Sequence, residues 1–138
     1  MKAVAKGSFT VKMTPHPWHE SNGGESAVDH SLARFTLDKQ YQGDLEATGD
    51  GQMLSAGSPS TSAVYVAIEK VTGSLQGRKG SFVLYHTGIM NRGVPTLTIT
   101  VAPDSGTGDL TGLSGSLTIQ IADGKHSYEF AYSLATIQ

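Results

Sequence analysis

Apolar and polar residues alternate along most of this chain, in short runs separated by glycine or proline. In the first run, residues 3–13, Ala5, Phe9 and Val11 fall on one face, while lysine, serine and threonine fall on the other. A period of two is typical of β-strands with one face toward a core and one toward water. Helical periodicity is weak throughout, so the pattern predicts an all-β protein.

The pattern predicts about eight strands, at residues 3–13, 27–41, 45–47, 61–72, 79–88, 94–101, 116–121 and 126–134. The third is a weaker strand, followed by a glycine-rich break at 49–51 and a return past residues 53–54. Successive strands without helices between them pair with their neighbours, and closing such a meander removes its exposed edges. We therefore predict a closed eight-stranded antiparallel meander barrel, formed by one domain over residues 1–138. Its interior is either filled by side chains or holds one small ligand.

The fourth and fifth predicted strands flank a glycine-rich turn and form the clearest hairpin. A turn centred between Leu75 and Gln76 sets Tyr65 opposite His86 and points both toward the barrel interior. Glu69 also points inward, but it lies four pairs from His86, a separation of about 13 Å at ~3.3 Å per residue. We therefore expect no direct contact between Glu69 and His86.

Glu69 and His86 are the candidate catalytic residues, because a carboxyl and an imidazole inside a barrel lose water and can acquire pKa values suited to proton transfer. In the alternative interpretation, both are hydrogen-bonded structural groups of the core. Tyr65 is the expected companion of His86. The candidate ligand-binding side chains are aromatic, and they are Trp18, Tyr65, Tyr128 and Tyr132.

The opposite face of the same hairpin is too apolar to remain in water, and exposed apolar patches usually mark interfaces. It carries Val64, Val66, Ile68, Val83 and Tyr85. We therefore expect a homo-oligomer.

Charge and composition exclude several other classes of protein. Ten Lys and Arg against twelve Asp and Glu give a net charge of −2, and the basic residues are scattered, which argues against nucleic-acid or membrane-surface binding. Without cysteine, disulfides, thiolate metal sites and a cysteine nucleophile are excluded. The first residues lack the apolar region of a signal peptide and no segment is long enough to span a bilayer, so we expect a cytoplasmic protein.

A histidine-rich segment after the first strand raises the question of a metal site. It contains His16, Trp18, His19 and Glu20, with His30 further along. Zinc needs three or four converging ligands, and this spacing matches no known signature. We predict no metal and no cofactor, and we expect Trp18 to cap the mouth of the barrel.

Two stretches carry a resemblance to a known family, IEKVTGSLQGRKGSFVLYHTG at 68–88 and VAPDSGTGDLTGLSG at 101–115. They resemble a bacterial family of small domains of unknown function, and the similarity extends over residues 7–132. The resemblance implies the eight-stranded barrel typified by plant allene oxide cyclase. By analogy with the cyclases, it implies that the expected homo-oligomer is a trimer, with a dimer as the alternative. It implies no particular reaction, because likeness of fold does not specify chemistry.

Three hypotheses for function follow. In the first, the barrel binds a small apolar or amphipathic ligand. In the second, it is an isomerase or cyclase acting on such a ligand, which needs a group poised for proton transfer. In the third, it is a structural or interaction module with a solid core. The sequence leaves open whether the protein is an enzyme.

Overall fold

The computed structural model describes residues 2–18, 32–58 and 60–134. It contains eight strands, β1 (Lys2–His16), β2 (Leu32–Gly43), β3 (Leu45–Gly57), β4 (Ser62–Leu75), β5 (Arg78–Asn91), β6 (Val94–Val101), β7 (Leu113–Ala122) and β8 (Lys125–Leu134). Each strand pairs antiparallel with the next, and β8 pairs with β1. The predicted all-β, closed eight-stranded meander barrel is therefore confirmed. Among the described residues, no helix is long and apolar enough to cross a membrane.

The barrel is staggered, because its strands are tilted around the axis. Following paired residues from Thr14 of β1 through all eight strands leads back to Val4, ten residues earlier on the same strand. A tilt of this kind is needed to close any barrel, and eight strands leave an interior wide enough for side chains or one small ligand.

One end of the barrel is filled. Phe82 and Phe130 are stacked there with ring centroids 5.7 Å apart. The connection between β6 and β7 contains a short 3₁₀ turn, Gly108–Leu110, whose leucine is also buried in the core. The buried inward-facing residues of this end include Ala5, Leu45, Val71, Leu75, Leu84, Leu113 and Leu134.

The other end is open. Met13, Leu97 and Ile121 continue the inward-facing rows of β1, β6 and β7, yet 45%, 45% and 67% of their surfaces are exposed. On all three strands, burial decreases toward the end where β1 stops and β2 begins. Inward-facing apolar side chains that remain exposed mean that the described residues form no core in this half of the barrel.

Two local sequence predictions are wrong. The predicted break around residues 49–51 does not occur, and β3 runs without interruption from Leu45 to Gly57. The register of the β4–β5 hairpin is shifted by two residues, so that Tyr65 pairs with Gly88, and Ala67 with His86. The turn is centred on Gln76 and Gly77, which both have positive φ. Since the shift is even, every side chain stays on its predicted face.

Candidate functional site: a buried carboxylate at the base of the open half

Glu69 of β4 is fully buried inside the barrel and accepts hydrogen bonds from three side chains. Lys39 Nζ of β2 and His86 Nε2 of β5 both lie 3.1 Å from Glu69 Oε1. The hydroxyl of Tyr41 donates to Glu69 Oε2. A carboxylate with this many donors can remain ionised in a region without water. The four residues are called the Glu69 cluster below.

The partners of Glu69 control its charge. Burial alone would raise the pKa of Glu69, but the hydrogen bond from His86, the charge of Lys39 and the hydrogen bond from Tyr41 together lower it below its ordinary value. Burial and the nearby Glu69 charge raise the pKa of Tyr41, which therefore keeps its proton and donates a hydrogen bond to the Glu69 carboxylate. The cluster is thus a carboxylate held among hydrogen-bond donors.

The contact between Glu69 and His86 contradicts the expected separation of about 13 Å, which followed from the predicted turn at ~3.3 Å per residue. In the observed register Glu69 pairs with Leu84, so His86 is a diagonal neighbour only two residues along β5. Side chains of this length span the distance between diagonal neighbours in a sheet.

Sequence analysis missed Lys39 and Tyr41 as partners of Glu69. Lys39 lies between Leu37 and Tyr41 in a row of alternating inward positions, and it is only 5% exposed. Its ammonium also lies 5.2 Å from the centre of the Phe9 ring. The period-two pattern contained the signal, but a lysine inside a barrel is rare unless an opposite charge accompanies it.

Glycines on β3 make room for the carboxylate. A Cβ atom at Gly49 would lie 2.1 Å from Glu69 Oε2, and one at Gly51 would lie 2.6 Å from the carbonyl oxygen of Ile68. Both glycines occupy inward positions of a continuous strand. They interrupt the row of side chains without interrupting the sheet, and that is why a turn was wrongly predicted here.

Tyr65 lies next to His86 on the side of the open end. Their ring centroids are 6.5 Å apart, and the Tyr65 ring occupies the space that a side chain at position 88 would need, since a Cβ atom at Gly88 would lie 2.0 Å from it. Burial, and then the Glu69 charge, raise the pKa of the Tyr65 hydroxyl. The structure thus brings the rings of Tyr65 and His86 together, and a shared functional role for them stays a prediction.

A mainly apolar pocket of about 380 Å³ lies beside Tyr65 at the open end. It is lined by residues of β3 to β6, among them the inward-pointing Met53, Ala63, Tyr65 and Leu97 and the outward-pointing Val64 and Ile89. Its volume falls within the ~300 to 1,000 Å³ range of small-molecule sites. The open half therefore combines an apolar wall with a buried polar cluster at its base.

The other predicted ligand-binding aromatics are not brought together with Tyr65. Tyr128 is buried, and its hydroxyl donates to the carbonyl oxygen of Gln42 and accepts from the Leu45 amide. The hydroxyl of Tyr132 donates to the side chain of Gln76 at the filled end. Trp18 follows β1 at the open end and is 40% exposed, and its capping role stays a prediction.

The described residues contain no group of three or more His, Cys, Asp or Glu arranged to hold a metal ion. His16 Nε2 instead lies 3.1 Å from the hydroxyl of Thr36. His19, Glu20 and His30, the other members of the segment considered for a metal, lie outside the described residues.

Comparison with known proteins identifies relatives of this barrel. Residues 5–132 match the family described as "Protein of unknown function (DUF3224)". A crystal structure at 1.84 Å resolution of a protein with unknown function from this family, from Shewanella oneidensis MR-1, is 42% identical in sequence. The match covers 99% of this chain and 100% of that one, with a TM-score of 0.85. No curated protein matches the chain.

Proposed function

Because this chain belongs to the DUF3224 family, whose description assigns no activity, we propose a function from the site itself. We propose that the open half of the barrel binds a small amphipathic molecule. The observation that carries the proposal is an apolar pocket that opens to solvent beside Tyr65, whose ring centroid lies 6.5 Å from that of His86 in the buried Glu69 cluster. Ligand sites typically combine such apolar walls with a few convergent polar groups.

The apolar part of the ligand packs against Met53, Tyr65 and Leu97, which line the pocket. Its polar end faces His86. Since the Nε2–H of His86 donates to the Glu69 carboxylate, Nδ1 is the ring nitrogen that remains to contact a ligand. Trp18, at the same end of the barrel, closes over the entrance.

Thermal unfolding in the presence of decanoic acid or 1-decanol tests this proposal. We expect either probe to raise Tm, because a ligand at a hundred times its Kd stabilises a protein by about 2.7 kcal/mol. Leu97→Glu, which places a charge on the pocket wall, should abolish the shift. Val4→Glu is the matched control, since Val4 is exposed to a similar extent but points outward from β1. No shift in the wild type, or a shift that Leu97→Glu leaves unchanged, contradicts the proposal.

A second candidate function, an isomerase or cyclase acting on such a ligand, is favoured by the orientation of His86. An imidazole that donates one N–H to a buried carboxylate is held in a defined tautomer, and the carboxylate stabilises the imidazolium that forms when the other nitrogen accepts a proton. An isomerisation that removes a proton from one atom and returns it to another needs such a group.

Conversion of an unsaturated fatty-acid epoxide, followed by chromatography, tests the second candidate. We expect turnover by the wild type, with a loss of at least about a hundredfold in His86→Ala and Glu69→Gln, as is usual for a general base and the group that orients it. His126→Ala is the control, because His126 also faces inward, on β8 beside Phe9. Equal turnover in all four proteins excludes this candidate.

A further inference from the structure

From the outer face of β3, β4 and β5, we infer that this surface is an interface with a second copy of the chain, related to the first by a two-fold axis. The surface consists of Leu54, Val64, Val66, Ile68, Tyr85 and Ile89, and is called the outer apolar face below. Each of these side chains is 40% to 64% exposed. The inference does not rest on the proposed ligand, although Val64 and Ile89 also line the apolar pocket.

The outer apolar face is continuous. Leu54 pairs with Val66 across β3 and β4, while Ile68 pairs with Tyr85 across β4 and β5. Because the pairs lie side by side and all point away from the barrel, they form one patch rather than scattered exposed residues. Val83 also points outward, but it is partly buried.

The area of this face suits a stable interface. With the exposed fractions given above, its six side chains present on the order of 600 Å² of apolar surface to solvent. This area is at the upper limit for the largest apolar patch on a monomer. It is also close to the ~800 Å² that each partner buries in a standard interface. A groove of about 410 Å³, whose lining includes Leu54, Val66, Ile68 and Tyr85, can receive a side chain from the opposing surface.

The charges favour a second copy over a partner of different chemistry. All six residues of the face are uncharged, and the whole chain carries only a net charge of −2, so two copies do not repel each other strongly. At one edge Asp50 pairs with Lys70 across β3 and β4, and both are exposed. This edge therefore carries charges of both signs, whereas a surface that recognises a charged partner would carry mainly charges of one sign.

A two-fold arrangement follows from the use of one surface by both copies. In an isologous dimer the same patch lies on both sides of the interface, so a self-complementary face closes the assembly at two subunits. This differs from the trimer implied by analogy with the cyclases, and the assembly size separates the two.

Sedimentation equilibrium of the wild type and two matched variants tests this inference. We expect a wild-type mass of twice 14.5 kDa at tens of micromolar. Ile68→Lys should sediment as a monomer, because it places like charges against each other at the centre of the interface. Ile121→Lys should remain a dimer, since Ile121 is 67% exposed, close to the 64% of Ile68, but lies at the open end. Circular dichroism establishes that both variants are folded.

A thiol in the face gives a second measurement that adds no charge. The chain has no cysteine, so Val66→Cys and the control Val4→Cys each introduce one thiol, at positions that are 51% and 46% exposed. We expect the thiol from Val66→Cys to react with a disulfide reagent at least about tenfold more slowly in the dimer than after dilution, because burial limits thiol reactivity. The Val4→Cys thiol should react at the same rate at both concentrations.

Three outcomes overturn the inference. They are a wild-type monomer at all concentrations, an assembly that Ile68→Lys leaves intact, and a thiol from Val66→Cys whose reactivity does not depend on concentration. A trimer that Ile68→Lys disrupts overturns the two-fold arrangement.

Discussion

Lys39, Tyr41 and His86 all donate to one carboxylate, so replacing any member of the Glu69 cluster changes the environment of the others. A buried ion pair contributes little net stability, because the cost of removing both charges from water offsets their attraction. Removing one partner is different, since the other charge is then left buried without compensation. The joint replacement of Lys39 and Glu69 should therefore cost less stability than the two single replacements added together.

A double-mutant cycle measures this coupling. We expect Lys39→Met and Glu69→Gln each to lower the free energy of unfolding by about 3 kcal/mol, because an isolated buried charge or donor remains. The double variant should lose less than the sum, with a coupling energy of at least about 1 kcal/mol. Urea denaturation provides the free energies, and strictly additive losses would show that the two groups do not interact.

Acid should weaken the folded state through Glu69. Its pKa is lower in the folded protein than its ordinary value of 4.5, so near and below that value the unfolded chain binds more protons. The stabilisation is therefore complete above about pH 4.5 and is lost as the pH falls through the folded pKa. We expect urea titrations from pH 7 to pH 3 to show this loss in the wild type. The acid-dependent part should be smaller in Glu69→Gln and unchanged in Glu129→Gln, an exposed carboxylate on β8.

At this scale, sequence analysis predicted the direction of side chains but not all of their contacts. Period-two alternation correctly pointed Glu69 and His86 inward, because the pleat of a strand fixes direction. Their contact depends on register, which the turn at Gln76 and Gly77 sets through backbone conformations that residue types only suggest. Lys39 can lie inside the barrel because Glu69 pairs with its charge, and the alternation of residues on β2 alone does not show this partner.

At the scale of elements, β3 shows how a strand accommodates a functional group of its neighbour. Its inward row contains Gly49 and Gly51 where β4 places the Glu69 carboxylate. Glycine lowers strand propensity, so local sequence argued for a turn. Pairing with β2 on one side and β4 on the other overrides that preference, and pairing over such distances along the chain is not visible in a local window.

Filling the space at Gly49 should disturb the cluster without breaking the strand. We expect Gly49→Ala to lower the free energy of unfolding by about 2 kcal/mol, since its Cβ forces the Glu69 carboxylate to move in a packed interior. Thr48→Ala, at the adjacent outward position of β3, should have little effect. Urea denaturation gives the stability, and NMR of the His86 ring reports the displaced carboxylate. A stable Gly49→Ala protein with an unchanged His86 signal would contradict this account.

At the scale of the whole molecule, the barrel is asymmetric along its axis. Strand number and meander order followed from alternation and turns, and both are confirmed. The division into a filled and an open end was not predicted, because inward residues at both ends are apolar and differ only in what packs against them. The finer likeness to the allene oxide cyclase barrel stays a prediction.

The two ends should differ in their sensitivity to truncation. We expect Phe130→Ala to lower the free energy of unfolding by about 3 to 5 kcal/mol, because it leaves a cavity opposite Phe82. Met13→Ala at the open end should cost less than about 1 kcal/mol, since Met13 is already 45% exposed and its removal creates no sealed void. Similar losses in the two variants, measured by urea denaturation, would mean that the open half is packed after all.

The barrel is expected to open locally most easily between β6 and β7. In the described chain this ladder has one pair in register, Thr100 with Ser116, whereas β5 and β6 pair from Leu84 with Val101 to Asn91 with Val94. Local opening follows the least protected hydrogen bonds, so amide deuterium uptake should begin along this seam. Transient separation of β6 and β7 would expose the unpaired strand edges that closure removed. It would also give a large ligand a lateral route to the barrel interior.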